Sequence, residues 1–199
     1  MKKKGLVFVG ASLAAALLVS AVQAQTPTRV RGTITSLDGN TLGVKSRDGQ
    51  DLRVELDEKV GIGTVRAITL GDLKAGDFVG ATAVKRGDGR MVAVELHMLP
   101  PTASQGHTPW DLQPGSTMTN ALVGTIVKSD GGNEITLNYK DGSQQILVPD
   151  GIPIVTTTPA DRSALKPGEY VFIVAQRQAD GRLTAPRVTV SKDGVRPPQ

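Results

Sequence analysis

Leu73-Lys74-Ala75-Gly76-Asp77-Phe78-Val79 recurs as Leu165-Lys166-Pro167-Gly168-Glu169-Tyr170-Val171. Each stretch runs from an apolar anchor through a glycine turn and an acid to an aromatic residue that opens a β-rich run. Working outward, Val30-Arg31-Gly32-Thr33-Ile34 matches Leu122-Val123-Gly124-Thr125-Ile126, and Asp48-Gly49 matches Asp141-Gly142. Asp88-Gly89-Arg90 matches Asp180-Gly181-Arg182, and Ala93 matches Ala185. Order kept at a nearly constant offset is the mark of an internal duplication.

The spacing within each copy predicts short strands. Leu42, Val44 and Ser46 alternate with polar neighbours, as do Leu52, Val54 and Leu56, and then Val92, Val94 and Leu96. In the second copy Ile135, Leu137 and Tyr139 serve as one strand, and Ile146 and Val148 as the next. A period of two puts one face in a core and the other in water. Asp-Gly pairs punctuate the runs, and glycine takes the positive φ that tight hairpins need. No D-x-D-x-D-G spacing is present, so these acids read as turn residues and not as calcium ligands. Thr158-Pro159-Ala160-Asp161 has the capping hydroxyl, proline and acid of a helix start, and Pro167-Gly168 ends it within a turn. Thr69 to Gly76 is its counterpart. The expected fold class is all-β, with two tandem small Greek-key or OB-like β-barrels, each carrying one short helical turn.

The expected boundaries are a signal peptide over 1–24, a first barrel repeat over 28–99 and a Pro-rich linker over 100–120. A second barrel repeat over 121–192 and a disordered tail over 193–199 complete the chain. Lys2, Lys3 and Lys4 followed by an apolar run from Gly5 to Val22 and by Val22-Gln23-Ala24 have the form of a cleavable secretory signal. That places the protein in the periplasm of a Gram-negative bacterium, with no stable membrane span after cleavage. Removing those three lysines and no acids takes 23 Lys+Arg against 19 Asp+Glu to 20 against 19. The basic balance is thus largely a property of the leader and is no nucleic-acid footprint. Cysteine is absent, which excludes disulfides, thiolate metal sites and thiol catalysis.

Few constellations carry chemistry. A hydrolytic triad would need His97 or His107 beside Ser104 or Ser116 and Asp111, in a segment read as lacking a rigid scaffold. Gly61-Ile62-Gly63 lacks the third glycine of a dinucleotide loop. The protein is therefore expected not to be an enzyme and to need no cofactor. Copper is the alternative cofactor, because His97, His107 and Met118, with Met98 nearby, are ligand types suited to it. Alternation argues against a preformed site, since Met98 shares the parity of inward Leu96 and His97 that of outward Glu95. The plainer expectation is a core methionine and two solvated histidines. Trp110, the single tryptophan, lies in the linker, and either docks between domains or waits for a partner. The candidate partner-binding residues are His107, Trp110, Asp111 and Leu112.

The repeated G-T-I starts, the L-K-x-G-[DE]-[FY]-V segments and the D-G-R-[LM] turns resemble a bacterial family of small exported OB-like domains. That family is of unknown function and often tandem. The stretch from His107 through Trp110 to Asn120 is similar to its proteobacterial members. Similar chains sometimes carry a metal-transporter permease label, which a chain without membrane spans gives no means to perform. The expected function is a non-catalytic periplasmic binding or accessory protein for a protein or envelope component, with no nucleic-acid partner. Periplasmic copper binding or delivery is the alternative.

Overall fold

The computed structural model describes residues 26–198. The expected signal peptide lies outside the described residues. Among the described residues no helix is long and apolar enough to cross a membrane. The described residues form twelve strands and two single 3₁₀ turns. The first copy supplies β1 (Thr26–Asp38), β2 (Thr41–Ser46), β3 (Asp51–Ala67), β4 (Phe78–Lys85) and β5 (Met91–Met98). A short β6 (Gly106–Pro109) intervenes. The second copy supplies β7 (Ser116–Ser129), β8 (Gly132–Tyr139), β9 (Gly142–Val148), β10 (Ile154–Ala160), β11 (Tyr170–Arg177) and β12 (Leu183–Val190).

The chain is all-β and its strands close into two barrels, as expected. The barrels do not follow the repeat boundaries. One closes as β1–β2–β3–β12–β11, the other as β7–β8–β9–β5–β4. Each therefore takes three strands from one copy and a hairpin from the other, an exchange of equivalent elements within one chain. Residues 28–99 and 121–192 each contribute to both barrels. Between the barrels, Ile62–Ala67 of β3 runs antiparallel to Val155–Ala160 of β10, its own counterpart in the repeat. On the outer flanks, β12 runs parallel to β3 and β5 runs parallel to β10. The pairing thus has approximate two-fold symmetry about the β3–β10 contact.

Two separate cores follow. Val30, Ile34, Leu42, Val44, Val54 and Ile173 fill the first barrel, and Val79, Leu96, Ile135, Leu137 and Ile146 fill the second. All are at most 1 % exposed. Burying each such side chain contributes roughly 1.5–3 kcal/mol relative to leaving it exposed. The alternation predicts this inner face correctly for β2 and β3. In β5 a bulge between Thr82 and Ala83 of the partner strand leaves Val94 as the extra residue. Ala93 and Leu96 then share the core, and Val94 leaves it. The matching bulge in β12 falls at Pro186, where a proline costs no ladder hydrogen bond.

The G-T-I match does not survive as a spatial equivalence. Ile34 exchanges backbone hydrogen bonds with Gly168 and Glu169, and Val123 does so with their counterparts Gly76 and Asp77. Ile34 pairs with Val44 and Val123 with Leu137, again at matched positions. Ile34 is therefore equivalent to Val123, Gly32 to Ala121 and Arg31 to Asn120, three residues away from the sequence match. Gly32 is held as glycine by crowding, since a Cβ there would lie 2.1 Å from the carbonyl oxygen of Lys45.

Three further expectations change. Thr158–Ala160 is the end of β10, and the helical turn is Arg162–Ala164, capped by Asp161 accepting from Ser163 N at 2.8 Å. The segment 100–120 is only partly linker, because β6 and the start of β7 form a hairpin. The expected disordered tail instead turns at Asp193 and Gly194 and bridges Lys192 to Val195. Arg196 lies 4.9 Å from the Tyr170 ring, and Pro197 is buried.

Candidate functional site

The outward faces of the two barrels carry equivalent rows of residues with different chemistry. In the first barrel Arg31 pairs with Phe172, and Phe172 with Thr189. In the second, Asn120 pairs with Gly80, and Gly80 with His97. Among the described residues, the buried side-chain polar atoms without a hydrogen-bond partner are Arg31 Nε, His97 Nδ1 and Asn120 Oδ1. All three fall in these two rows. A buried polar atom left unpaired costs about 1–3 kcal/mol, so their concentration here marks a place where stability was not the only requirement.

His97, expected to be solvated, is only 9 % exposed. Its ring lies over Gly80, where a Cβ would meet Nε2 at 2.3 Å. Burial lowers its pKa from 6.5 to about 4, so the ring is neutral near pH 7. Met98 packs against the second core, in keeping with its inward parity. Beside His97 on the outward face, buried Glu95 accepts from Thr82 Oγ1 at 2.8 Å.

The candidate metal ligands do not converge. His107 Nδ1 shares a hydrogen bond with Thr119 Oγ1 at 2.8 Å, and the His107 ring stacks 6.3 Å from Tyr139. Met118 approaches Thr82 Oγ1 at 4.0 Å. Thr119 and Met118 are neighbours on β7, so these contacts lie on opposite faces of the strand. Among the described residues no three His, Asp or Glu side chains gather closely enough to hold a metal ion.

Trp110, Asp111 and Leu112 dock on the first barrel. Asp111 accepts from Arg31 Nη1 at 3.1 Å and Nη2 at 2.7 Å, and lies 3.7 Å from Arg29. These partners, Arg31 foremost, hold its carboxyl below the usual carboxylate range. Arg29 stacks on the Trp110 ring at 3.8 Å, while Arg31 lies 5.9 Å from Trp110 and 5.2 Å from Phe172. Arg47 donates to the main-chain oxygens of Asp111 and Leu112 at 2.9 and 3.2 Å. Ser116 Oγ closes the loop by donating to the carbonyls of Trp110 and Gln113. Sequence reasoning singled out the tryptophan and missed these arginines. The available signal was Arg31 itself, a charge inside a strand start whose matched sequence position is Val123.

A groove follows the line between the barrels. One cavity of about 590 Å³ is lined by Gly61–Gly63, His97–Pro100, Thr156, Thr157, Phe172 and Thr189. A second, of about 520 Å³, is lined by Glu95, Leu112, Gln113, Ile154 and the tail from Gly194 to Pro198. Pro198 borders both. The groove is thus floored by β3, β10 and β5 and walled by residues from both unpaired rows.

One family model matches the chain twice, over residues 31–97 and 124–189, and is described as a domain of unknown function (DUF5666). No curated protein and no solved structure matches it.

Proposed function

The chain belongs to the DUF5666 family, in two copies, and we propose that it is an exported, non-catalytic binding or accessory protein of the periplasm. Its binding face on this reading is the groove between the barrels, with a protein or envelope component as ligand. The observation that carries the proposal is that His97, whose buried Nδ1 has no hydrogen-bond partner among the described residues, lines that groove together with Phe172 and Thr189 of the matched row. The groove walls pair apolar side chains with a few threonines and a neutral histidine, a composition suited to binding. Of the candidate partner-binding residues, Leu112 forms part of the wall directly. Trp110 and Asp111 fix the loop that carries Leu112, and His107 anchors the strand before it.

Site-specific crosslinking tests this reading. A photo-reactive side chain at Thr157, exposed on the groove floor, should capture one envelope component in the native cell, whereas the same group at exposed Lys128 should not. Gly61→Phe should abolish the adduct by filling the larger cavity, because a Cβ at Gly61 meets nothing closer than 3.7 Å. Adducts that are identical from both positions, or unchanged by the filled groove, would reject it.

A further inference from the structure

The docking of Trp110, Asp111 and Leu112 has more chemistry than a tether requires. Three successive residues are recognised by three different features: the ring by the Arg29 guanidinium, the carboxylate by Arg31, and two main-chain carbonyls by Arg47. Arg31 is 4 % exposed, lies near both Trp110 and Phe172, and keeps Nε unpaired. A planar guanidinium held this way is preorganised to accept a carboxylate in bidentate geometry.

The chain's own segment also leaves the site partly empty. A cavity of about 310 Å³ remains beside Asp111, lined by Arg29, Arg31, Arg47 and Arg177 against two acids, Asp48 and Asp111. Asp48 accepts from Ser46 and Gln50, and not from any of these arginines. Arg177 donates to the Gly181 carbonyl and pairs with no carboxylate among the described residues. The cavity is therefore cationic and unfilled. The loop that reaches it belongs to the unduplicated insert and is bracketed by Pro109, Pro114 and Gly115, the last at φ 74°.

We propose that the outward face of the first barrel is a peptide-recognition site for an acidic segment bearing an aromatic residue beside its carboxylate, and that Trp110-Asp111-Leu112 is its resident occupant. A partner segment of the same chemistry displaces the loop, takes Arg31 and Arg47, and extends toward Arg177. Because Leu112 and Gln113 wall the adjoining groove cavity, displacement also opens that cavity. The proposal stands on the arginine site alone and does not require the groove to bind anything.

The test uses the full-length chain purified after export and a fluorescein-labelled peptide of residues 108–114, Thr-Pro-Trp-Asp-Leu-Gln-Pro, read by anisotropy. The chain carrying Asp111→Asn should bind this peptide about tenfold tighter than the unaltered chain, the difference expected if the resident competitor loses about 1.4 kcal/mol. The same peptide with asparagine for aspartate should bind neither. A second measurement needs no variant. An unlabelled peptide with phenylalanine for tryptophan, added to the unaltered chain, should change the emission of Trp110 in a saturable way, since this is the only tryptophan. Equal affinities for the two chains, equal binding of the asparagine peptide, or unchanged Trp110 emission would each overturn the proposal. None of these outcomes bears on crosslinking at Thr157, so the two readings fail separately.

Discussion

The first barrel is closed by a long parallel ladder, with Leu183 to Val190 of β12 along Val54 to Thr64 of β3. The second, built from the equivalent strands, is closed only by the pair Val92 and Leu147 and, after a break, by Leu96 and His97 along Ile154 and Val155. The difference lies in one strand. β3 runs unbroken from Asp51 to Ala67, while its counterpart is cut into β9 and β10 by Pro149-Asp150-Gly151-Ile152-Pro153. Proline removes ladder donors and fixes φ, so a central strand cannot continue through two of them. Duplicated sequence thus gives two barrels of one topology and unequal seams. The equivalent rows diverge likewise: Arg31, Phe172 and Thr189 on one barrel, Asn120, Gly80 and His97 on the other. The lesson is that duplication preserved the strand pairing while the outward chemistry changed.

Exchanging residues between equivalent positions breaks this comparison most sharply. Gly32→Ala places the residue of the matched position, Ala121, into the first barrel, where its Cβ meets backbone at 2.1 Å. Backbone cannot yield as a flexible side chain can, so the expected loss is about 3 kcal/mol or more, at the upper end of overpacking costs. Urea denaturation of the full chain would measure it. A loss below about 1 kcal/mol would show the three-residue offset between the copies to be misplaced.

Acid titration separates the rows by the histidine that only one of them holds. The folded pKa of His97 is about 4 against 6.5 for the free side chain. Between those values the unfolded chain binds a proton that the folded chain refuses, so stability falls as pH drops from 6.5 toward 4. The fall totals roughly 3 kcal/mol, is complete below about pH 4 and is absent above pH 7. His97→Thr, which installs the equivalent residue Thr189, should remove this component. A stability profile with the same slope in the variant would assign the effect elsewhere.

Asp111→Asn probes the other row. Arg31 is buried but Asp111 is 48 % exposed on its side chain, so solvent softens the loss and the expected cost is about 1–2 kcal/mol. The same change should blue-shift or red-shift Trp110 emission as its loop loosens. A melting temperature and an emission spectrum both unchanged would show that the ion pair holds nothing.

The smallest effect is one of dynamics. Amides at the Val92–Leu147 seam should exchange hydrogen at least tenfold faster than those of Gly63 and Val188, because a single bridge opens without disturbing a ladder. Equal protection by native-state exchange would erase the distinction between the seams.

Much of this fold was legible in the residues. Alternation in Leu42, Val44, Val54 and Leu56 identifies inward faces, and the Asp-Gly turns identify hairpins. Periodicity says which face a strand buries but not which strand lies beside it. The two copies present nearly the same pattern, so a hairpin such as β4–β5 satisfies either barrel's core, and the exchange left no trace in the sequence. The offset at β1 was hidden for a related reason. Gly32 and Gly124 look alike, but one relieves a contact with Lys45 and the other sits at a bulge opposite β8. Of the candidate site, Trp110 was visible by its rarity. Its arginine partners were not, since Arg29, Arg31 and Arg47 are brought to the loop from 64 to 82 positions earlier in the chain, separations that only the folded chain closes.

The exchanged hairpins also govern how the protein is made. A chain is synthesised from its N-terminus, so β4 and β5 exist before β7, β8 and β9, the strands they must join. Likewise β1, β2 and β3 wait for β11 and β12, the last strands to appear. Neither repeat can close by itself: the second barrel has all its strands once β9 has been made, whereas the first stays open until β11 and β12 join β1, β2 and β3.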